Sequence, residues 1–168
     1  MGVERLSSNL ICTRTGVTPP AFYCYFKDKY AILEELGERL MEAQNEVIPP
    51  LLAQEKPVAS EADLRSLILE TIRVTAAFPG GTWVLRALRA VPTLQHVRLR
   101  SHRRMGALVA KAARSRGASA RRALQARLLI DMGYAAIELT FDEPTLAQKR
   151  VADEAAAPLA ALAQAIMD

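Results

Sequence analysis

The chain has 168 residues, of which 51% are hydrophobic and 24% charged, and its formal net charge is +4. This composition excludes a disordered chain, and the length allows one ordinary domain, or a small one attached to a larger, without disulfides. The sequence has no apolar run of roughly 18 residues to span a membrane and no apolar signal core at MGVERLSSNL; its cysteines, Cys12 and Cys24, make no disulfide framework, so a cytoplasmic protein is expected.

Up to about Phe26 the chain reads as a unit of short helices. Ser7 to Thr15 predicts one helix, Gly16-Val17 a turn, and Thr18 the N-cap of a second helix from Pro19 to about Tyr25. Pro19 and Pro20 fall in its first turn, where a missing N–H goes unmissed. Phe22, Tyr23, Tyr25 and Phe26 crowd together in a chain that is only 5% aromatic. So short a helix cannot stand alone. Phe22 and Phe26, four apart, are therefore expected to anchor it in a core with Ile11 and Val17. Thr18, Pro19, Ala21, Tyr23, Cys24 and Tyr25 then lie nearer the surface.

From Lys29 onward the periodicity is helical. Asp28 is placed to cap a long helix whose stripe is Leu33, Leu36, Leu40, Ala43, Val47 and Leu51, with Pro49-Pro50 at its end. Ser60, with Asp63 three residues on, opens the next helix in the manner of a capping box. Its stripe is Leu64, Leu67, Ile68, Thr71, Thr75 and Phe78, and Pro79-Gly80-Gly81 stops it. A short segment from Thr82 to Val91 follows. Thr93 is placed to cap a helix with Leu94, Val97, Ser101, Met105, Leu108 and Ala112 on one face, ended by Gly117.

The helix expected over about Ser119 to Phe141 carries two apolar stripes. One is Leu124, Leu128, Met132, Ala135 and Leu139; the other is Ala123, Ile130, Tyr134, Ile137 and Phe141. A helix apolar on two sides is expected to be buried on two sides, one against its own chain and one against a partner chain. Pro144 is expected to open a last helix with the small-residue stripe Ala147, Val151, Ala155, Pro158, Leu162 and Ile166, kinked or split at Pro158. No segment shows strand alternation. The fold class is therefore all-α: a short-helix unit, then an antiparallel helical bundle.

Charge is uneven. Thr71 to Ile130 contains no Asp or Glu but many arginines. This stretch is either a solvated basic face or a surface that attracts DNA phosphates or an anionic small molecule. No nucleophile–base pairing, metal-ligand spacing or phosphate-binding glycine loop is visible, so neither an enzyme, a metal site nor a cofactor is expected. His96 and His102 read as polar groups on a helix surface.

The residues Gly16-Val17-Thr18, Phe22-Tyr23-Cys24-Tyr25-Phe26, Asp28-Lys29 and Ile32-Leu33, with Ile11-Cys12 before them, resemble the signature of the tetracycline-repressor family of one-component bacterial transcription regulators. The likeness covers about residues 2–33. It implies a helix-turn-helix DNA-binding unit over residues 1–28 and an effector-binding and dimerisation domain over 29–168. By this resemblance Thr18, Pro19 and Ala21 would face base edges, while Tyr23, Tyr25 and Lys29 would touch phosphates. Ser7 would cap its helix beside the DNA backbone. The family also has a helix ahead of residue 2, so the unit is expected to be incomplete here. Ser8 stands where an apolar residue is usual, and Cys12 where alanine is. The recognition helix has no Arg, Asn or Gln for bidentate base pairing, which leaves thymine-methyl contacts and DNA shape.

The same resemblance puts the effector pocket at Phe78, Trp83, Arg86, His102, Met105, Met132 and Tyr134, suited to an apolar or anionic small molecule. The implied function is a ligand-released repressor that binds a pseudo-palindromic double-stranded DNA operator as a homodimer paired through its last two helices. The alternative is a dimeric small-molecule-binding or interaction protein that has lost DNA binding.

Overall fold

The computed structural model describes residues 3–52, 60–113 and 119–167. The described residues hold helices joined by turns, without strands. A 3-10 turn, Val3–Arg5, precedes α1, Ser8–Thr15, and α2, Pro19–Tyr25. The larger bundle comprises α3 (Lys29–Asn45), the short α4 (Pro49–Leu52), α5 (Glu61–Ala77), α6 (Gly81–Ala90), α7 (Gln95–Ala112), α8 (Ala120–Asp142) and α9 (Gln148–Met167).

Local chemistry fixes most of the helix starts. Ser7 Oγ accepts from Leu10 N at 3.1 Å. Asp28 Oδ1 accepts from Tyr30 N and Ala31 N at 2.8 and 2.9 Å, which starts α3 where its cap was expected. Ser60 and Asp63 form the reciprocal capping box of α5, and Ser119 caps α8 by accepting from Arg122 N. Thr93 is not a cap. It lies inside a 3-10 turn, Pro92–Leu94, so α7 starts later, with Leu94 at its N-cap position. Gly117, expected to end α7, lies outside the described residues.

Two expectations about prolines fail. Pro144 sits in a turn, and α9 starts at Gln148. Pro158 lies inside α9, which continues through it. The carbonyl that Pro158 leaves unbonded belongs to Glu154, an exposed residue that water can reach. The buried face of α9 is Ala152, Ala156, Leu159, Ala163 and Ile166, rotated from the expected stripe. Its alanines admit close approach to α5 and α8, the two helices α9 packs on most.

The main core gathers Leu40, Ile68, Leu85, Leu88, Val97, Met105, Ile137 and Ile166, each at most 4% exposed, from α3, α5, α6, α7, α8 and α9. Gly106 marks the closest approach of α7 and α8, because a Cβ there would lie 3.2 Å from Arg127 Cα. Paired residues reveal helix directions. Glu34 meets His96, Glu38 meets Arg100 and Glu42 meets Arg104, so α3 and α7 run parallel. His102 stacks on Tyr134 while Gly106, further along α7, lies against Arg127, earlier on α8, so α7 and α8 run antiparallel.

Two helical glycines should respond oppositely to substitution. A Cβ at Gly133 on α8 meets no atom within 4 Å, whereas one at Gly81 would lie 2.1 Å from Thr75 O. Gly133→Ala is expected to gain about 1 kcal/mol from helix propensity. Gly81→Ala is expected to lose about 1–3 kcal/mol through overpacking. Thermal denaturation of both variants checks this, and a lower Tm for Gly133→Ala would contradict the open space read at that position.

Candidate functional site

The N-terminal unit is built around Cys12 and Phe22, 5% and 4% exposed. Gly16, at φ 73°, makes the left-handed turn between α1 and α2 that favours glycine. Phe22 anchors α2 and packs against Phe26, the ring centroids 5.7 Å apart. Val17 is 43% exposed, so it is a surface residue of the turn and does not join this core. The buried residues of the unit are Phe22 on α2 and Cys12 on α1.

Thr18 occupies the N-cap position of α2, yet its side chain makes no cap hydrogen bond. Pro20, at the second helical position, has no N–H to offer, but Ala21 at the third does, the position from which Ser7, Ser60 and Ser119 take their capping bonds. The Thr18 hydroxyl is left exposed with Pro19 and Ala21. Tyr23 and Tyr25, 53% and 83% exposed, lie outside the unit's core. Arg5, Arg14 and Lys27 are exposed, and among the described residues no acid pairs with them.

Lys29 is placed differently from the other residues expected at phosphates. Its Nζ donates to Val3 O at 3.1 Å and Leu6 O at 2.8 Å, tying the start of α3 to the turn before α1. Ammonium has three donors, so one remains beyond these two carbonyls.

The acid-free stretch is balanced in part by acids outside it. Arg100 and Arg104 on α7 pair with Glu38 and Glu42 on α3. Arg86 and Arg89 on α6 meet Asp142, and Arg127 meets Asp131. These acids neutralise part of a face that reads as basic in sequence.

An apolar cavity of roughly 80 Å³ opens between α3, α5, α8 and α9. Its wall includes Ile48, Leu64, Ile68, Ile130, Ile137 and Leu159. Of the seven residues expected at an effector pocket, only Tyr134 lines it. Trp83 and Met132 are exposed, at 58% and 45%, because they project from α6 and α8 away from the core. Arg86 is drawn to Phe141 O and Asp142. Phe78 is half-buried at the C-cap of α5, and Met105 is packed into the core from α7.

His102 is fully buried, not a surface group. Its ring stacks on Tyr134 with centroids 4.1 Å apart, and its Nδ1 lies 2.5 Å from Asp131 Oδ1. Burial lowers its pKa, against the raising influence of Asp131. Burial also raises the carboxyl pKa of Asp131, but hydrogen bonds from Arg127 and His102 outweigh it and hold that pKa below the usual value. Neutral His102 therefore donates from Nδ1 to an ionised Asp131.

Sequence reasoning missed Gln44 and Asn45, both buried on α3. Gln44 Nε2 donates to Thr75 Oγ1 at 2.6 Å, and Ser101 Oγ donates to Asn45 Oδ1 at 3.0 Å. Their signal was spacing: Leu33, Gly37, Leu40 and Gln44 recur at helical steps, and all are buried.

One apolar face has nothing over it in the single chain. Leu124, Leu128, Met132 and Leu139 on α8 are 39–61% exposed. Leu139 lines a shallow groove with Leu146 and with Ala147, Val151 and Ala155 at the start of α9.

Residues 1–36 match the family model for bacterial regulatory proteins of the tetR family. No curated protein matches the chain. Among the described residues no helix is long and apolar enough to cross a membrane.

The lowered pKa of His102 carries a sign. With a folded value below 6.5, the unfolded chain takes up the proton first as pH falls. The contribution is complete above pH 6.5 and declines below it, toward the folded pKa. Tm is expected to fall between about pH 7.5 and 5.5, and His102→Phe, which keeps a ring against Tyr134, should flatten that slope. An unchanged slope in the variant would contradict the assignment.

Proposed function

With residues 1–36 matching the tetR family of bacterial regulatory proteins, the chain is a DNA-binding transcriptional regulator of that family, and on that premise we propose that it is a cytoplasmic, ligand-released repressor. The observation that carries the DNA-reading part is the outer face of α2. Thr18, Pro19, Ala21, Tyr23 and Tyr25 are all exposed on or before one short helix anchored by Phe22. The cations Arg5, Arg14 and Lys27, which pair with no acid among the described residues, accompany them.

In this reading residues 1–28 are the DNA-binding unit and residues 29–168 the effector-binding and dimerisation domain. Thr18, Pro19 and Ala21 meet base edges in the major groove, with the Thr18 hydroxyl available because no capping bond uses it. Tyr23 and Tyr25 donate to phosphates. Ser7 stands beside the backbone at the cap of α1, and Lys29 offers its one remaining donor.

Dimerisation is supported by the open face of α8 and the start of α9. Leu124, Leu128, Met132 and Leu139 are large apolar residues at steps of four, four and seven, on a helix whose opposite side is core. A second copy related by a twofold axis would bury the same face on both chains and form a four-helix bundle. Two copies of α2 would then enter successive major grooves of a pseudo-palindromic operator.

Release is supported by α3, which begins beside the DNA-binding unit and ends at the cavity. An effector that binds better to a conformer with wrongly spaced reading helices shifts the population off DNA.

A mobility-shift titration with duplex from the DNA flanking the protein's own gene tests the reading. Retardation should weaken by about tenfold or more from 50 to 200 mM salt, as phosphate contacts require. Tyr25→Phe should weaken binding evenly across sequences, while Thr18→Val should change which sequences are preferred. The absence of any salt-sensitive, sequence-preferring retardation would sink the proposal.

A further inference from the structure

We infer that the cavity between α3, α5, α8 and α9 selects an uncharged, mainly apolar molecule that presents one hydrogen-bond donor to Gln44 Oε1. This names the ligand class of the ligand-released reading above and rests on it. Among the described residues the wall carries no Asp, Glu, Lys, Arg or His. A charged ligand would therefore give up its water and find no partner for its charge.

The polar atoms on the wall are few and nearly all engaged. Thr71 Oγ1 donates to Leu67 O at 2.8 Å. The Tyr134 hydroxyl is influenced by Ser101, whose own hydrogen goes to Asn45. Gln44 lines the cavity with no exposed surface of its own. Its amide orientation follows from Thr75. That hydroxyl has one hydrogen and donates it to Thr71 O at 2.7 Å, so it can only accept at its 2.6 Å contact with Gln44. Nε2 is therefore the Gln44 atom at Thr75, and Oε1 is left without a partner.

A buried carbonyl oxygen without a donor is costly, and a ligand that supplies the donor removes that cost. An acceptor-only ligand would instead set oxygen against oxygen. The anion anticipated from nearby Arg and His has no support here, because Arg86 is held by Phe141 and Asp142 and His102 by Asp131. Gly133 also lines the cavity, and a Cβ there meets nothing within 4 Å, so a larger side chain at that position has room to fill the space.

Calorimetric titration of the protein with 1-octanol, its isomer methyl heptyl ether and octanoate at neutral pH tests the inference. Octanol has the donor, the ether only an acceptor, and octanoate the charge. Octanol should bind about tenfold more tightly than the ether, the worth of one well-placed hydrogen bond, and octanoate most weakly. Gln44→Leu should erase the preference of octanol over the ether. Gly133→Leu should weaken both. Octanoate binding most tightly, equal affinity for octanol and ether, or no binding of any probe overturns the inference. If Gln44→Leu does not fold, the ranking on the unsubstituted protein decides. These titrations contain no DNA. Octanol that binds in the expected order without releasing duplex in a mobility shift supports the ligand class and counts against ligand release alone.

Discussion

Helix α3 is fixed at both ends by polar contacts, and the rest of the molecule is arranged along it. At its start the Asp28 carboxylate takes two backbone N–H groups while the Lys29 ammonium holds two carbonyls of the first turn. At its end Gln44 and Asn45 are buried, bonded to α5 and α7. Between them Glu34, Glu38 and Glu42 step along α3 in register with His96, Arg100 and Arg104 on α7. Exposed pairs of this kind contribute about 0–1 kcal/mol each, so their consequence is register more than stability. One rigid rod thus connects the reading unit with the cavity.

The reading unit is small, and its composition explains its behaviour. Two prolines at the start of α2 fix its dihedrals, and the Thr18 hydroxyl makes no capping bond. The result is a helix held from beneath by Phe22, with its polar and aromatic groups left facing outward. Under the proposed function its base-reading chemistry is one hydroxyl and a few apolar surfaces, and phosphate contacts and the spacing of two such units would then carry much of the selectivity.

Helix positions were largely legible in the sequence because caps and stops are local. Asp28, Ser60, Ser119 and Gly16 act where their types predict. What failed depends on packing between helices. Periodicity gives a stripe but not its partner, so the α3 stripe was drawn through Leu36 and Ala43, while burial follows Gly37, Met41 and Gln44. His102 reads as a surface group beside Arg103 and Arg104, yet Tyr134 and Asp131 from α8 enclose it. The effector residues were placed by likeness to a family, and the cavity lies instead where Gln44, Thr71 and Gly133 meet. Polar and glycine residues on apolar stripes were the available signal. The two stripes on α8 were legible, and one of them lies open.

The proposed dimer rests on that open stripe, since a single α2 would read only half of a twofold operator. Stoichiometry on DNA is the most direct measurement: native mass spectrometry or sedimentation of the protein with a short duplex from the DNA flanking its own gene, and of the same duplex with Leu128→Glu protein. The account predicts two chains per duplex at saturation, and loss of the two-chain complex when a carboxylate is set in the α8 stripe. One chain per duplex at saturation, or an unchanged two-chain complex in Leu128→Glu, would contradict it.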